Sequence, residues 1–403
     1  MMKFIVIGIN DNPQPWFPPE VMGIIQQGKV FSGGKRHHEI VAALLPKDAC
    51  WIDITVPLDT VFEKYQQAFP TPIIVFASGD PLFFGFANTI QRKLPDAEIE
   101  LYPTFNSLQM LAHKLVLPYH DMRIVSLTGR PWQEFDRALI ERAAKIGILT
   151  DREHTPATIA QRMLEYGYTS YDMSIGEHLG NPSQEQITTL SLPEATTGSY
   201  SMPNCVILVH HSPTMTHRPF GLPDSSFALL NGREKMITKM PIRLLTLQAL
   251  DLPHRSVLWD IGFCTGSVSI EARLQFPHLR IEAFEIRPEC EAIIHENARR
   301  HGTPGINIHI GDFLQATVPV GSPTDSPDAV FIGGHGGRLK EIMAIVKQHL
   351  APGGLIVMNS VTADSKQLFE EACTELGLRQ HAPLHIALND YNPIYILKCE
   401  LPL

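Results

Sequence analysis

The sequence predicts a two-domain protein of the α/β class. Short β-rich runs alternate with helical stretches along both halves, which is the order expected of sheets covered by helices. At 403 residues the chain exceeds the usual size of one domain. A segment with three prolines and few periodic apolar residues, residues 212–227, interrupts the alternation. We therefore expect a first domain over residues 1–211, a linker, and a second domain over residues 228–403.

Composition narrows the functional classes. Hydrophobic residues make up 44% of the chain and charged residues 19%, as in globular domains. A net charge of −9 argues against broad nucleic-acid binding, which needs a basic face. The six cysteines are dispersed and include no Cys-x-x-Cys pair. With no signal peptide and no membrane-length apolar run, we expect a cytoplasmic protein that does not bind membranes. We also expect no nucleic-acid partner, because of the net charge, and we expect a homo-oligomer.

Predicted strands occur throughout the chain. In the first half, five buried strands are predicted at residues 4–7, 73–76, 124–127, 146–149 and 206–209. In the second half, strands beginning at residues 257, 281, 306, 329 and 355 alternate with helices at residues 242–250, 289–300 and 339–349. That alternation predicts a parallel, doubly wound sheet. Residues 384–388 and 394–399 are predicted to form a final antiparallel pair.

The loop after the strand at residue 257 carries the clearest functional signal. Asp260 follows the apolar strand, Gly262 and Gly266 form a tight loop, and a helix begins near Ser267. Glycines at such a place let backbone amides approach a ligand without a clashing Cβ. A dinucleotide fingerprint is excluded, because Cys264 and Ser267 occupy its second and third glycine positions. The run instead resembles motif I of class I S-adenosylmethionine (SAM) methyltransferases, which have a Rossmann-like fold.

This resemblance implies a set of contacts to the methionine end of SAM, made by Asp260, Gly262, Thr265 and Gly266. Cys264 stands where the motif normally has its middle glycine, and we expect a negative φ there, with which a small side chain is compatible. Glu285, at the end of the next strand, is placed to accept hydrogen bonds from both ribose hydroxyls. Asp312 and Phe313, after the third strand, resemble the adenine contacts of the family.

A glycine-rich loop extends the resemblance across the second half. Residues 333–337 contain four glycines and His335 between a predicted strand and a predicted helix, where backbone amides could bind a carboxylate. Together with residues 260–271 and 283–287, this loop resembles the CbiT family of decarboxylating cobalamin-pathway methyltransferases. The resemblance assigns Gly333 and Gly334 to the cofactor and substrate site.

Three candidate catalytic residues follow as hypotheses from that resemblance. Arg243 or Arg338 would hold substrate carboxylates, and His335 would donate a proton. The run Asn392-Pro-Ile-Tyr395 looks like the catalytic motif of amide methylases, but it comes late in the chain, and we interpret it as a turn that does not face the methyl donor.

The first half has its own candidate site after the strand at residues 73–76. Gly79, Asp80, Pro81 and Gly85 fix a tight turn there, and Asp80 is expected to cap the following helix. The turn resembles the Gly-Asp-Pro SAM loop of the tetrapyrrole methylase family, and Ser107 falls in the family's serine-rich loop. Collinear matches at residues 31–36, 125–130, 149–156 and 176–180 resemble its CbiE members. Residues 8–12 depart from the family's glycine-rich first loop, which in many members shapes the entrance for the substrate.

Joined in this order, the two halves resemble the CobL family of bifunctional decarboxylating precorrin-6B C(5,15)-methyltransferases. The resemblance implies one SAM per domain, no protein-bound metal, methylation at the 5 and 15 meso carbons of an anionic corrin precursor, and loss of the ring C acetate, which converts precorrin-6B to precorrin-8. Lys35, Arg36 and Arg130 would recognise the substrate's anionic groups. A SAM-dependent RNA or protein methyltransferase and a non-catalytic SAM-binding regulator remain alternatives, and the sequence leaves open whether the substrate contains cobalt.

Overall fold

A computed structural model describes residues 1–211, 220–316, 326–389 and 392–402. It confirms the α/β class. The chain divides into two compact units, residues 1–130, 143–162 and 169–213 in one and residues 131–142, 163–168 and 214–403 in the other. Of the predicted linker, residues 212–219 lie outside the described residues. Leu222 and Phe227, from the same predicted linker, are buried, so its end is a packed segment of the second unit.

The first sheet is parallel and is covered by helices. Its strands lie in the order β3-β2-β4-β1-β5 and comprise β1 (Lys3–Ile9), β2 (Val30–Gly33), β3 (Cys50–Asp53), β4 (Ile73–Ser78) and β5 (Glu98–Tyr102). The helices are α1 (Pro19–Gln27), α2 (Lys35–Val41), α3 (Asp59–Ala68), α4 (Phe86–Lys93) and α5 (Ser107–Lys114). The chain leaves β1 towards one edge of the sheet and leaves β4 towards the other. The carboxyl ends of these two neighbours therefore form a topological switch point, where open α/β sheets bind ligands.

The second sheet is mixed. Its order is β6-β7-β10-β8-β9, formed by β6 (Arg123–Ser126), β7 (Lys145–Leu149), β8 (Tyr171–Glu177), β9 (Gln186–Ser191) and β10 (Asn204–His210). Strands β6 and β7 are parallel, whereas β10 runs antiparallel to both of its neighbours. The helices in this stretch are α6 (Gln133–Ile140), α7 (Pro156–Glu165) and α8 (Leu192–Ala195).

The third sheet confirms the predicted doubly wound arrangement. Its parallel strands are β11 (Val257–Ile261), β12 (Arg280–Glu285), β13 (Ile306–Ile310), β14 (Ala329–Ile332) and β15 (Leu355–Ser360), with β11 at the centre. Strand β18 (Ile394–Glu400) is antiparallel to β15, and it also pairs with β16 (Arg379–Gln380) and β17 (Leu384–Ile386). Strands β17 and β18 are the predicted final antiparallel pair. The helices are α9 (Met240–Ala249), α10 (Ser267–Gln275), α11 (Glu289–His301), α12 (Leu339–His349) and α13 (Ala363–Leu376).

The core of the third sheet fixes the strand from which the candidate SAM loop departs. All five residues of β11 are buried. Trp259 packs edge-on against Phe284 of β12, with ring centroids 5.5 Å apart, and against Phe313 at 5.9 Å. Such aromatic contacts add to the free energy gained by burial. Within the described ranges, no helix combines the length and apolar character that crossing a membrane would require.

Candidate active sites

A cavity of about 950 Å³ opens at the carboxyl ends of β11, β12 and β14. This volume is at the upper end of the range for small-molecule sites. The lining includes ten of the residues predicted from the sequence, namely Asp260, Gly262, Thr265, Glu285, Asp312, Phe313, Gly333, Gly334, His335 and Arg338. Residues separated by up to 78 positions are therefore brought to one site.

The glycines of the loop after β11 are required by close packing. Gly262 has φ +78°, and a Cβ on it would lie 2.7 Å from the backbone nitrogen of Gly334. Gly266, at φ +73°, is the N-cap of α10, and a Cβ there would lie 2.4 Å from the side chain of Ile294. The two loops thus approach each other backbone to backbone, and larger residues at these glycines would push them apart.

Cys264 corrects one prediction. Its φ is +52°, in the left-handed region, and not negative as expected. A side chain in that region is strained, typically by about 1–2 kcal/mol. The cysteine therefore occupies a position suited to glycine, and it tolerates that position while nearly buried among apolar neighbours.

Asp260 is fully buried at the floor of the cavity. Its Oδ2 accepts a hydrogen bond of 2.6 Å from the Ser269 hydroxyl, whereas Oδ1 has no partner among the described residues. Burial raises the pKa of Asp260 to about 7, although the Ser269 hydrogen bonds oppose the shift, and the charge of Glu285 adds to it. An unpartnered, buried carboxylate oxygen is suited to a cationic group, such as the ammonium of SAM.

Glu285 is saturated with hydrogen bonds in the structure. Its carboxylate accepts from the backbone N–H of Cys264 at 2.9 Å and from three N–H groups of Arg287 at 2.7–3.1 Å. Burial alone would raise the pKa of Glu285, but hydrogen bonds and charge from Arg287 outweigh it and lower the pKa. Because a carboxylate has about four acceptor positions, binding of ribose hydroxyls would require Arg287 to withdraw.

Asp312 and Arg338 form a two-pronged ion pair. The guanidinium of Arg338 donates to both carboxylate oxygens of Asp312, at 2.8 and 3.0 Å. This pairing lowers the pKa of Asp312. Phe313 is buried against Trp259 and Phe284 and also lines the cavity. Because the two side chains are paired with each other, this ion pair would have to open before Asp312 could bind adenine or Arg338 could bind a substrate carboxylate.

The structure argues against a substrate-binding role for Arg243. Its side chain is fully buried away from the cavity, and its guanidinium contacts Glu271 and Asp224, each at 3.3 Å. It also donates to the carbonyl oxygens of Leu222 and Thr238. Arg243 is therefore a structural link between α9, α10 and the segment before α9.

His335 lies in the glycine-rich loop at the cavity. Its Nδ1 accepts a hydrogen bond of 3.2 Å from the backbone N–H of Gly337, and burial lowers its pKa. An Nδ1 that accepts this hydrogen bond leaves the proton of the neutral ring on Nε2, and the lowered pKa disfavours the imidazolium form that a proton donor would need. Gly333 N–H donates to the carbonyl of Ile261 at 2.8 Å, so this amide is not available to a carboxylate.

Other lining residues were missed from the sequence. They include Lys235, Lys239, Arg287, Asn359 and Asn392. The prediction for Asn392 was wrong, because this residue lines the same cavity as the loop at Gly262. Strand β18 runs antiparallel beside β15, which brings its amino-terminal end to the carboxyl edge of the parallel strands. Only that pairing reveals the position of Asn392.

The candidate site of the first unit lies at the switch point between β1 and β4. Gly79, after β4, has φ +62°, and a Cβ there would lie 2.7 Å from Cα of Asn106. Asn106 is the N-cap of α5, next to the predicted Ser107. Three loops therefore meet at this edge, because a Cβ on Gly8, at the end of β1, would lie 1.9 Å from the carbonyl oxygen of Gly79.

Asp80 does not cap the following helix as predicted. Its Oδ1 accepts from the backbone N–H of Leu82 at 2.9 Å, within the turn that also contains Pro81. The N-cap of α4 is Gly85, where a Cβ would lie 2.3 Å from the carbonyl oxygen of Pro81. The turn is therefore closed on itself and leaves no room for a side chain at Gly85.

The predicted anion-binding residues of this unit have different environments. Lys35 is exposed. Arg36 donates to Asp11 at 2.8 Å and to the Ser78 hydroxyl at 3.0 Å. Arg130 lies over the ring of Phe84, 5.0 Å from its centroid, which is a cation–π contact.

Comparisons with known proteins assign both units. Residues 15–196 match the tetrapyrrole (corrin/porphyrin) methylases, and residues 231–391 match the precorrin methyltransferase domain. The fold and these matches define a SAM-dependent C-methyltransferase. A precorrin-6Y C(5,15)-methyltransferase (decarboxylating) from Sinorhizobium sp is 32% identical over 376 residues, covering 92% of this chain and 88% of that relative. The chain therefore belongs to the family of decarboxylating precorrin-6Y C(5,15)-methyltransferases.

Two further relatives each match less than half of the chain. A cobalt-precorrin-6B C(15)-methyltransferase (decarboxylating) from Salmonella typhimurium is 34% identical over 183 residues, which are 42% of this chain and 92% of that protein. A crystal structure of precorrin-6y C5,15-methyltransferase from Geobacter metallireducens is 33% identical and covers 45% of this chain and 98% of its own, with a TM-score of 0.40.

Proposed function

We propose that this chain methylates a corrin precursor at the 5 and 15 meso carbons and removes the ring C acetate as carbon dioxide, converting precorrin-6B to precorrin-8 with one SAM per unit. The observation that carries the proposal is the similarity, over 92% of this chain and 88% of the relative, to a decarboxylating C(5,15)-methyltransferase, together with a cavity in the second unit and a topological switch point in the first. When bound, SAM supplies the electrophilic methyl group, and the protein has to align an already nucleophilic carbon.

In the second unit, Asp260 would hold the ammonium of SAM and Glu285 its ribose. The buried Oδ1 of Asp260, which has no hydrogen-bond partner in the described part of the chain, and the glycine cradle fit these groups. Lys235 and Lys239 line the cavity and would attract the carboxylates of the substrate. Excluding water around the carboxylate that departs would favour decarboxylation, with the conjugated macrocycle as the electron sink.

In the first unit, the turn at residues 79–85 would hold the second SAM, beside Ser107 at the start of α5. Arg130 and Lys35 would contact anionic side chains of the macrocycle. The left-handed Gly79 and the close approach of Gly8 support this assignment, because neither glycine has a Cβ where the two loops meet, so the backbone of each can approach a ligand.

A direct assay tests the proposal. Purified full-length protein is incubated with SAM and either precorrin-6B or its cobalt-containing counterpart, and the products are analysed by mass spectrometry. We expect two methyl additions and one carbon dioxide loss with one of the two substrates. If both substrates remain unchanged, an RNA or protein methyltransferase or a non-catalytic SAM-binding protein becomes the better interpretation.

A further inference from the structure

Three polar side chains meet beside the switch point of the first sheet. Asp11 follows β1, Arg36 lies in α2, and His178 follows β8 of the second sheet. Arg36 Nη1 donates to Asp11 Oδ1 at 2.8 Å, and Nδ1 of His178 lies 2.9 Å from Asp11 Oδ2. Both oxygens of Asp11 are thereby used, and its side chain is only 10% exposed. Asp11 is thus fixed between a permanent cation and an imidazole.

This arrangement orients the imidazole of His178 as a base. An ionised carboxylate can only accept hydrogen bonds, so Nδ1 of His178 carries the proton that it donates to Asp11. The neutral ring then has its lone pair on Nε2. No described residue hydrogen-bonds to that nitrogen, and the side chain retains 19% exposure. His178 also has φ +47°, and such strain in a residue other than glycine is concentrated at functional sites.

Neighbouring groups are less suited to accept a proton. His37 uses both ring nitrogens, since Nδ1 accepts from the Gly34 N–H at 3.3 Å and Nε2 lies 2.9 Å from the Ser78 hydroxyl. Burial, aided by the charge of Arg36, lowers the pKa of His37 to about 4. Asp80 is engaged by the Leu82 N–H. Of the groups described at this edge, His178 has the free, oriented nitrogen.

Methylation of a meso carbon needs such a group, because a C–H bond is replaced by a C–CH3 bond. We propose that His178 is the general base of the first methylation, with Asp11 as the residue that positions it, an inference that rests on the proposed function. The carbon–carbon bond forms as the sulfur–methyl bond breaks, and its electron pair stays on sulfur. The C5–H bond then breaks, its electrons return to the macrocycle, and the proton moves to Nε2 of His178. Asp11 stabilises the imidazolium.

Substitutions in the full-length protein test this role. His178→Gln keeps a hydrogen-bond donor near Asp11 but removes the base, and we expect the rate of methylation at C5 to fall by about 10²–10⁴-fold. The KM for SAM in that step should stay within about twofold, because no contact to the donor is removed. Methylation at C15 and carbon dioxide loss serve as the internal control, and His120→Gln, an exposed histidine of the same unit, serves as the matched control.

Two further readouts separate a base from a structural residue. With substrate deuterated at C5, the isotope effect on methylation should rise in His178→Gln, because loss of the proton becomes rate-limiting. By nitrogen-15 NMR of the wild-type protein without ligands, His178 should show the tautomer protonated on Nδ1, and Asp11→Asn should weaken that preference.

The role of His178 would be refuted by a normal C5 rate in His178→Gln, or by a rate loss without a change in isotope effect. A wild-type ring protonated on Nε2 would refute it even if the variants did not fold. If the wild-type protein methylates neither carbon, the proposed function itself fails, which is a distinguishable result.

Discussion

Asp260 is the residue whose charge state is most directly linked to ligand binding. Its pKa of about 7 lies above the ordinary value of 3.8, chiefly because of burial. A cationic group at Oδ1 would favour the ionised form and lower this pKa. We therefore expect SAM binding to release protons between about pH 5 and 7, and the affinity to weaken as the pH falls through this window. Calorimetry in buffers of different ionisation enthalpy measures this release.

The matched variant is Asp260→Asn, which should bind SAM without that proton release.

The same raised pKa has a defined effect on the stability of the protein without SAM. The contribution of Asp260 to the free energy of unfolding is fully present below pH 3.8 and is lost as the pH rises through about 7. Asp260→Asn should remove this dependence. Identical proton release in both proteins would show that Asp260 does not face the cation.

Cys264 gives a second prediction for a single residue. Because its φ is +52°, Cys264→Gly should relieve strain and stabilise the protein by about 0.5–1 kcal/mol, with little change in SAM affinity. Thermal unfolding and SAM titration measure the two effects. Cys373→Gly is the control, since that residue lies within α13 and glycine should destabilise a helix. A large loss of SAM affinity in Cys264→Gly would mean that the thiol itself contributes to binding.

Contacts between elements explain why Arg243 was misassigned. Its position near the start of α9 gives no sign that Glu271 of α10 and Asp224 will surround it. Arg243→Met should lower the free energy of unfolding by about 3–5 kcal/mol, because it leaves Glu271 buried without a cation. Chemical denaturation measures the loss, and exposed Arg233→Met should have little effect. An equal, small effect of both substitutions would contradict the structural role.

The elements predictable from the sequence are those with local patterns. Helix α12 and strand β14 have the predicted bounds, and most predicted strands gain one or a few residues through pairing with their neighbours. The antiparallel insertion of β10 between β7 and β8 depends on pairing between distant segments, so alternation along the chain could not reveal it. For the same reason, Asn392 and His178 were not predicted as site residues, whereas Asp260 and Gly262 follow directly from their loop.

At the scale of the whole molecule, each unit has its own candidate site, at the carboxyl ends of β1 and β4 in one and in the cavity at the carboxyl ends of β11, β12 and β14 in the other. The central claim is that two separate SAM sites perform two methylations. Loss of one site should therefore leave the other active, which a chain with one shared site could not show.

The most direct test is Glu285→Ala in the full-length protein, with SAM and the accepted precorrin substrate and with product mass as the readout. Glu285 lines the cavity of the second unit, so the variant should lose methylation at C15 and carbon dioxide release together. The product should then contain one added methyl group and retain the acetate. Formation of the doubly methylated product at the normal rate would contradict the assignment of Glu285. Recovery of substrate without any added methyl group would contradict the independence of the two sites.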